Sequence, residues 1–351
     1  MSKNTMKAIT VYGPNDARLE EVAKPVANGD MILIKVKRTG VCATDQSIYT
    51  GESSFIKNGE IVYPCRFGHE YAGVVESVGE KVTKFKVGDR VYTDNFVACG
   101  CCEACKNGDY MSCKGTRSVG TVNCWDGCYA EYMLMPERHV FILPSELSMD
   151  EGALIEPASI AYDAFKGVTL SSNDTVVVYG TGAIGLISVW LAKYYGAGKV
   201  VLVGRSPAKL ETAKLVGADF VINNREENAC NKIKEISNGG ANLIIETSGS
   251  ISALKDAVNS IKRYGRISIV SFYERNLDNF PIDPLVLGCN SIVGAAGCYG
   301  NAPAVCEIMR KNPIKLTPCI THHVPFENCL DVFENEEKYH ATKIKIMVDF
   351  D

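Results

Sequence analysis

The sequence predicts an α/β protein of two domains, one antiparallel and β-rich, the other a doubly wound parallel sheet. Three observations carry that reading. The first half has short β-like runs cut by Gly, Pro and Asp turns. From about Asn173 apolar runs alternate with helical segments. The chain has 351 residues, enough for two domains of about 100–200 residues each.

In the first region, Met6 to about Pro157, strands are expected at Met31–Lys37, Tyr71–Val78, Arg90–Tyr92 and Tyr129–Met135. In the second, Thr175–Tyr179, Lys199–Val203, Phe220–Ile222, Asn242–Ile245 and Arg266–Val270 read as strands, with helices at Ala183–Tyr195 and Pro207–Val216. Strands continuous in Val, Ile and Leu, each followed by a helix, belong to a parallel sheet covered on both faces. After about Gly294 come short helices and a last strand, Lys343–Val348, without another βαβ cycle, and this tail is expected to rejoin the first domain.

Composition excludes several function classes. Lys and Arg number 37 against 41 Asp and Glu, a net charge of −4, which argues against an electrostatically driven nucleic-acid binder. No run reaches the roughly 18 apolar residues of a membrane span, and the N-terminal stretch has Lys3 and Lys7 but no apolar segment with a cleavage site. A cytoplasmic protein is expected, its 15 cysteines serving as metal ligands or small hydrophobes and not as disulfides.

Cys99, Cys102, Cys105 and Cys113 have the spacing C-x2-C-x2-C-x7-C, in a polar loop with Gly100 and Gly108. Four thiolates from one short segment suit a closed, tetrahedral structural zinc site. The competitor is an iron–sulfur cluster, but there the fourth cysteine follows after three residues and precedes proline, whereas Cys113 follows after seven and precedes Lys114. Cys101 falls outside the spacing. A closed site has no position for a substrate, so chemistry must lie elsewhere. Cys42, the His69-Glu70 pair and Glu156 form a dispersed thiolate, imidazole and carboxylate set that leaves a zinc position open.

Thr175 to Tyr179 runs into Gly180-Thr-Gly182-Ala183-Ile184-Gly185, a strand, a G-x-G-x-x-G turn and a helix, followed by a second strand. This is the Rossmann fingerprint, in which a helix N-terminus faces a pyrophosphate. Where an acidic residue would hold the free ribose hydroxyl of NAD, this chain has Gly204-Arg205-Ser206, with Lys209 nearby. A guanidinium and a hydroxyl without a carboxylate favour the 2′-phosphate of NADP.

With these motifs in place, the chain resembles the zinc-containing medium-chain alcohol dehydrogenases over nearly its whole length. The matching pieces include Gly40-Val41-Cys42-Ala43-Thr44-Asp45, Gly68-His69-Glu70, Val87-Gly88-Asp89-Arg90-Val91, the cysteine loop, Asp126-Gly127-Cys128-Tyr129, Gly152 to Pro157 and the Rossmann segment. Glu156-Pro157 looks most like the polyol (sorbitol-type), threonine and sugar dehydrogenase branch. The resemblance implies a GroES-like catalytic domain, residues 1–160 and 295–351, a Rossmann domain, residues 161–294, and an active site between them. It implies that Cys42 and His69 ligate a catalytic zinc, that Glu70 and Glu156 fill the remaining carboxylate positions, binding it directly, through water or in alternation, and that Asp45 orients His69 from behind. Thr44 would pass the substrate's hydroxyl proton toward solvent while hydride moves to the nicotinamide, and a homodimer or homotetramer would form through the sheet edge near Asn290 to Ala295.

Two departures stand out. Ser47, expected with Thr44 and Asp45 among the catalytic residues, occupies the place of a histidine that many relatives use in proton relay, so the proton would leave through water or another group, and Ala296 and Gly297 stand where sorbitol dehydrogenases have an aromatic residue and an arginine. His322 and His323 are expected in a loop with a structural role. The function expected is hydride transfer between NADP(H) and a secondary alcohol, polyol or sugar. The alternatives are an NADPH-dependent reductase of other carbonyls and a non-enzymatic, zinc-stabilised dinucleotide sensor.

Overall fold

The computed structural model describes residues 4–297 and 300–350. Its first sheet runs, in spatial order, Ile320–Pro325, Lys345–Asp349, Met31–Gly40, Glu70–Val78, Arg90–Thr93 and Val140–Ile142, with Tyr132–Pro136 also paired to Met31–Gly40. All neighbours are antiparallel except the first two, which are parallel. The C-terminal strand Lys345–Asp349 lies directly beside Met31–Gly40, so the tail and the N-terminal region share one sheet. Alternation explains the central strand: Ile32, Ile34 and Val36 are buried and pack with Val75, Val91 and Phe67. Register shifts at Leu33/Ile34 and Val36/Arg38 bend that strand, so that its end, Gly40, pairs with Glu70 and Met347.

The second sheet is parallel and six-stranded, in the order Phe220–Asn223, Lys199–Gly204, Thr175–Tyr179, Ala241–Glu246, Ile261–Ile269 and Ser291–Gly294. Every residue of Thr175–Tyr179 is buried, as a central strand covered on both faces requires. Strand order reverses between Thr175–Tyr179 and Ala241–Glu246, which places the ligand crevice of such a sheet outside the carboxyl ends of these two strands.

Helix Ile155–Asp163 ties the two halves together. It packs against helix Ala183–Tyr194, and its Ala158 and Ala161 belong to one core with Trp190, Leu186 and Met347. Trp190 is a core residue whose indole N–H donates to the Ile314 carbonyl at 2.7 Å. Each such large apolar side chain contributes about 1.5–3 kcal/mol by leaving water. The shared core therefore fixes where Glu156, near the start of this helix, can point. The expected strands are all present, but Tyr132–Pro136 and Lys345–Asp349 start later than expected and Ile261–Ile269 starts five residues earlier, while His322 and His323 lie on the strand Ile320–Pro325 and not in a loop: parallel pairing with Lys345–Asp349 draws that segment into the sheet.

Candidate active site

Cys42 caps helix Ala43–Thr50, and Asp45, three residues on, reaches back to accept the Cys42 amide at 2.9 Å. The same Asp45 oxygen accepts the Tyr129 hydroxyl at 2.8 Å, and its other oxygen stands 3.4 Å from Nδ1 of His69. Asp45 is fully buried, so its charge acts at short range on the imidazole. Burial opposes charge on His69, but Asp45 outweighs it and holds the histidine well above its ordinary pKa. The pocket is thus built to stabilise positive charge at this imidazole, whether a proton or a metal ion carries it.

Ligand atoms of Cys42, His69 and Glu70 lie within 4.8 Å of one another. Glu70 is held by Lys345, whose Nζ stands 2.7 and 2.6 Å from its two oxygens and donates to the Val41 carbonyl at 3.0 Å. Both partners are buried. Gly40 makes the approach possible, because a Cβ there would sit 2.0 Å from a Glu70 oxygen. Glu156 is also buried but lies outside the convergent trio; one of its oxygens accepts from Asn95 Nδ2 at 3.1 Å. Burial pushes its carboxyl up to about 7, with His69 opposing. The four expected groups therefore divide into three that converge and one on the adjoining wall. A soft thiolate, an imidazole and carboxylates in one buried, partly negative pocket are the donor set of an open zinc position.

Thr44 is half-buried at the start of the same helix, and the Ser47 hydroxyl donates to the Thr44 carbonyl at 2.9 Å. The Ser47 proton is thereby committed to the helix backbone.

The cysteine loop brings Cys99, Cys102, Cys105 and Cys113 within 4.8 Å of one another, and the described cysteines are all free thiols. The Cys102–Cys105 and Cys99–Cys105 sulfurs are 3.4 and 3.9 Å apart, bracketing the edge of about 3.8 Å that a tetrahedron of 2.3 Å zinc–sulfur bonds requires. Amides of Cys101 and Cys102 pull Cys99 down to about 6, toward the thiolate a metal takes. Cys101 is exposed, its sulfur 3.6 Å from that of Cys99. Behind the loop, His139 accepts the Ala98 amide at 3.2 Å.

In the parallel sheet each fingerprint glycine has its own reason. Gly180 has φ +115° and a Cβ there would meet Thr247 Oγ at 2.4 Å; at Gly185 one would meet the Gly180 carbonyl at 2.0 Å. Gly182 faces open space and caps helix Ala183–Tyr194 without any side-chain cap, so the amides of Ala183 and Ile184 open a helix N-terminus suited to a pyrophosphate. Gly204 ends strand Lys199–Gly204, Arg205 is exposed beyond it, and Ser206 caps the next helix with no side-chain bond. Lys209 instead directs its Nζ to the His340 carbonyl at 3.4 Å. The residues present fit a dinucleotide.

Lys345, Asn95 and Tyr129 are the site residues that motif reading misses. For Lys345 a signal exists, a lysine inside the apolar run Ile344-Lys345-Ile346-Met347-Val348, where an unpaired charge is costly.

Comparison with known proteins agrees with this class of fold. Residues 28–145 match the alcohol dehydrogenase GroES-like domain and residues 183–311 the zinc-binding dehydrogenase family. The chain is 34% identical to sorbitol dehydrogenase of Bacillus subtilis (strain 168) over 346 residues, covering 98% of this chain and 97% of the relative. It is 32% identical to L-threonine 3-dehydrogenase of Pyrococcus abyssi, covering 94% and 93%. Among solved structures, an alcohol dehydrogenase, rspB, from Escherichia coli CFT073 complexed with NADH superposes with a TM-score of 0.88 at 30% identity, covering 99% of this chain and all of that one. The protein belongs to the zinc-containing medium-chain alcohol dehydrogenase family. It is an enzyme of the alcohol and polyol dehydrogenase type, acting on small-molecule alcohols. No helix among the described residues is long and apolar enough to cross a membrane.

Proposed function

We propose that this chain transfers hydride between NADP(H) and a secondary alcohol, polyol or sugar, with its corresponding ketone as the other partner. The observation that carries the reading is the convergence of Cys42, His69 and Glu70 in a buried pocket, with Glu156 on the next wall. In that reading Cys42 and His69 hold the catalytic zinc with Glu70 or Glu156, and the four loop cysteines hold a structural zinc. Zinc, when bound, supplies a Lewis acid that polarises the substrate oxygen, and the dinucleotide supplies the hydride acceptor or donor.

The chain's own residues do the rest. Asp45 fixes the ring of His69, and Lys345 holds Glu70 near Cys42. Thr44 takes the substrate's hydroxyl proton toward solvent; with Ser47 bonded to the backbone, water completes the route. The Gly182 turn seats the pyrophosphate, and Arg205 with Ser206 recognises the 2′-phosphate, the positively charged Lys209 adding attraction from a greater distance. The E. coli rspB structure holds NADH, so the NADP reading rests on this chain's own residues after the second strand, Arg205 and Ser206 in place of an acid. The exposed edge strand Ser291–Gly294, with Ile292 and Val293, supports self-association into a homodimer or homotetramer.

The test is nicotinamide absorbance with a panel of polyols, sugars, 3-hydroxy amino acids and secondary alcohols, with NADP⁺ and NAD⁺, before and after chelation. Chelator-sensitive turnover preferring NADP⁺ is expected. NAD⁺ preference would overturn the role of Arg205, and chelator-resistant turnover that of zinc. Thr44→Val with full turnover would remove Thr44 from the proton route.

A further inference from the structure

Glu246 ends the strand Ala241–Glu246 at the point where the order of the parallel sheet reverses, and its side chain is fully buried. One oxygen accepts the Ser248 amide at 2.8 Å and also the Ser248 hydroxyl. The other accepts the Gly249 amide at 3.2 Å and the hydroxyls of Ser271 and Tyr273, each at 2.5 Å. Among the described residues these partners are all donors and none is a cation. A backbone amide can only donate, and one reaches each oxygen, so both oxygens must accept; a carboxylate provides that and a side-chain amide does not. The two loops held this way face different parts of the molecule. Thr247 backs the fingerprint turn: its Oγ donates to the Tyr179 carbonyl at 2.8 Å and stands where a Cβ on Gly180 or Gly185 would strike it, at 2.4 and 3.0 Å. The segment from Ser271 to Glu274 reaches instead to the GroES-like region, where Ser54 donates to Glu274 at 3.1 Å and Phe55 meets Phe272 edge to face, ring centroids 5.7 Å apart. The Gly249 amide also donates to Ser271 Oγ at 3.0 Å, which ties the loops directly to each other.

A dinucleotide lies across such a crevice, its adenosine half on the side of the second strand, where Arg205 and Ser206 stand, and its other half over Ala241–Glu246 and Ile261–Ile269. We propose that Glu246 is a positioning residue for the nicotinamide half of the dinucleotide, acting through the Thr247 to Gly249 and Ser271 to Glu274 loops and not by contact. Its carboxylate is the common acceptor that sets the two loops in one arrangement, one against the fingerprint turn and one against Ser54 and Phe55. A carboxylate buried among donors has no other favourable arrangement, since releasing either loop leaves a charge short of hydrogen bonds. This deepens the dehydrogenase reading and rests on it for the identity of the ligand.

Binding of two ligands, one spanning the crevice and one confined to its adenosine side, tests it. The first is the reduced dinucleotide, NADPH or NADH, whichever the wild type binds more tightly, titrated by its fluorescence. The second is the matching fragment, 2′,5′-ADP or ADP, titrated by calorimetry. Glu246→Gln keeps the shape of the side chain but sets an NH2 against groups that already donate. It is expected to weaken the dinucleotide at least about tenfold and to leave the fragment within about twofold. Tyr273→Phe removes one donor, keeps the carboxylate and the other four, and should weaken the dinucleotide about threefold; it decides the matter if Glu246→Gln does not fold. A merely structural role would lower the melting temperature while leaving both affinities of the folded protein unchanged, or would weaken both ligands alike. Either result, with the wild type binding the dinucleotide, would overturn this proposal alone. A wild type that binds neither dinucleotide would overturn it together with the dehydrogenase reading. Selective loss of dinucleotide affinity, in a protein that oxidises no alcohol, would support the proposal and overturn the dehydrogenase reading.

Discussion

The cysteine loop and the cleft site are built on opposite plans. Cys99 to Cys113 bring four sulfurs together from one segment, near the surface, with amides lowering a thiol pKa locally. Cys42, His69, Glu70 and Glu156 come from two helices and a strand end, are largely buried, and are held by residues from elsewhere: Asp45, Tyr129, Asn95 and Lys345. A local site needs only its loop. A dispersed one needs the fold, and its supporting residues carry as much of the design as the ligands.

The comparison can be broken first at the cleft. Cys42→Ala or His69→Ala should lower turnover by more than the roughly 100-fold that loss of an outer support costs, and Asp45→Asn by about 10–100-fold, measured as kcat/KM with zinc content in parallel. Equal losses in all three would mean that Asp45 is itself a ligand.

Lys345→Met leaves Glu70 as an uncompensated buried charge and should cost about 3–5 kcal/mol in urea unfolding, with Lys345→Met/Glu70→Gln recovering most of it. No recovery in the double variant would show that Lys345 acts through packing alone.

The loop side has its own pH signature. Burial, with Arg138 adding, holds His139 down to about 4 from 6.5, so the unfolded chain takes up the proton first as pH falls. Stability present above pH 6.5 should decline by about 3 kcal/mol as pH drops toward 4, then level off. His139→Phe should flatten that part of the melting-temperature profile; an unchanged profile would place the acid sensitivity elsewhere.

The smallest effect sharpens the assignment inside the loop. Cys105→Ser should remove one zinc and lower the melting temperature, whereas Cys101→Ser should leave zinc content unchanged and stability within about 0.5 kcal/mol. A zinc loss in Cys101→Ser would make it a ligand.

The same contrast explains what could be read from residues alone. The strand Thr175–Tyr179, the Gly180 to Gly185 turn and the cysteine spacing are local patterns, and the structure places each within a residue or so of the expected limits. The convergence of Cys42, His69 and Glu70 was readable only jointly, because a single Cys42 or His69 looks like any core residue. That Glu70 converges with them while Glu156 bonds Asn95 depends on sheet pairing between Gly40 and Glu70 and on a helix packed across two regions, which no spacing encodes. Lys345 stayed hidden for the same reason: its partner is 275 residues away in sequence. Arg205, Ser206 and Lys209 are visible in the sequence as a cluster at the strand end, but that the Lys209 Nζ turns to the His340 carbonyl depends on tertiary packing.

The most direct test of the two-plan account is zinc stoichiometry by atomic emission, measured together with turnover, in the wild type, Cys42→Ala and Cys105→Ser. Two zinc ions in the wild type are expected, with one remaining in each variant, turnover abolished in Cys42→Ala and retained by the folded fraction of Cys105→Ser. Full turnover in Cys42→Ala, or two zinc ions still bound there, would contradict it.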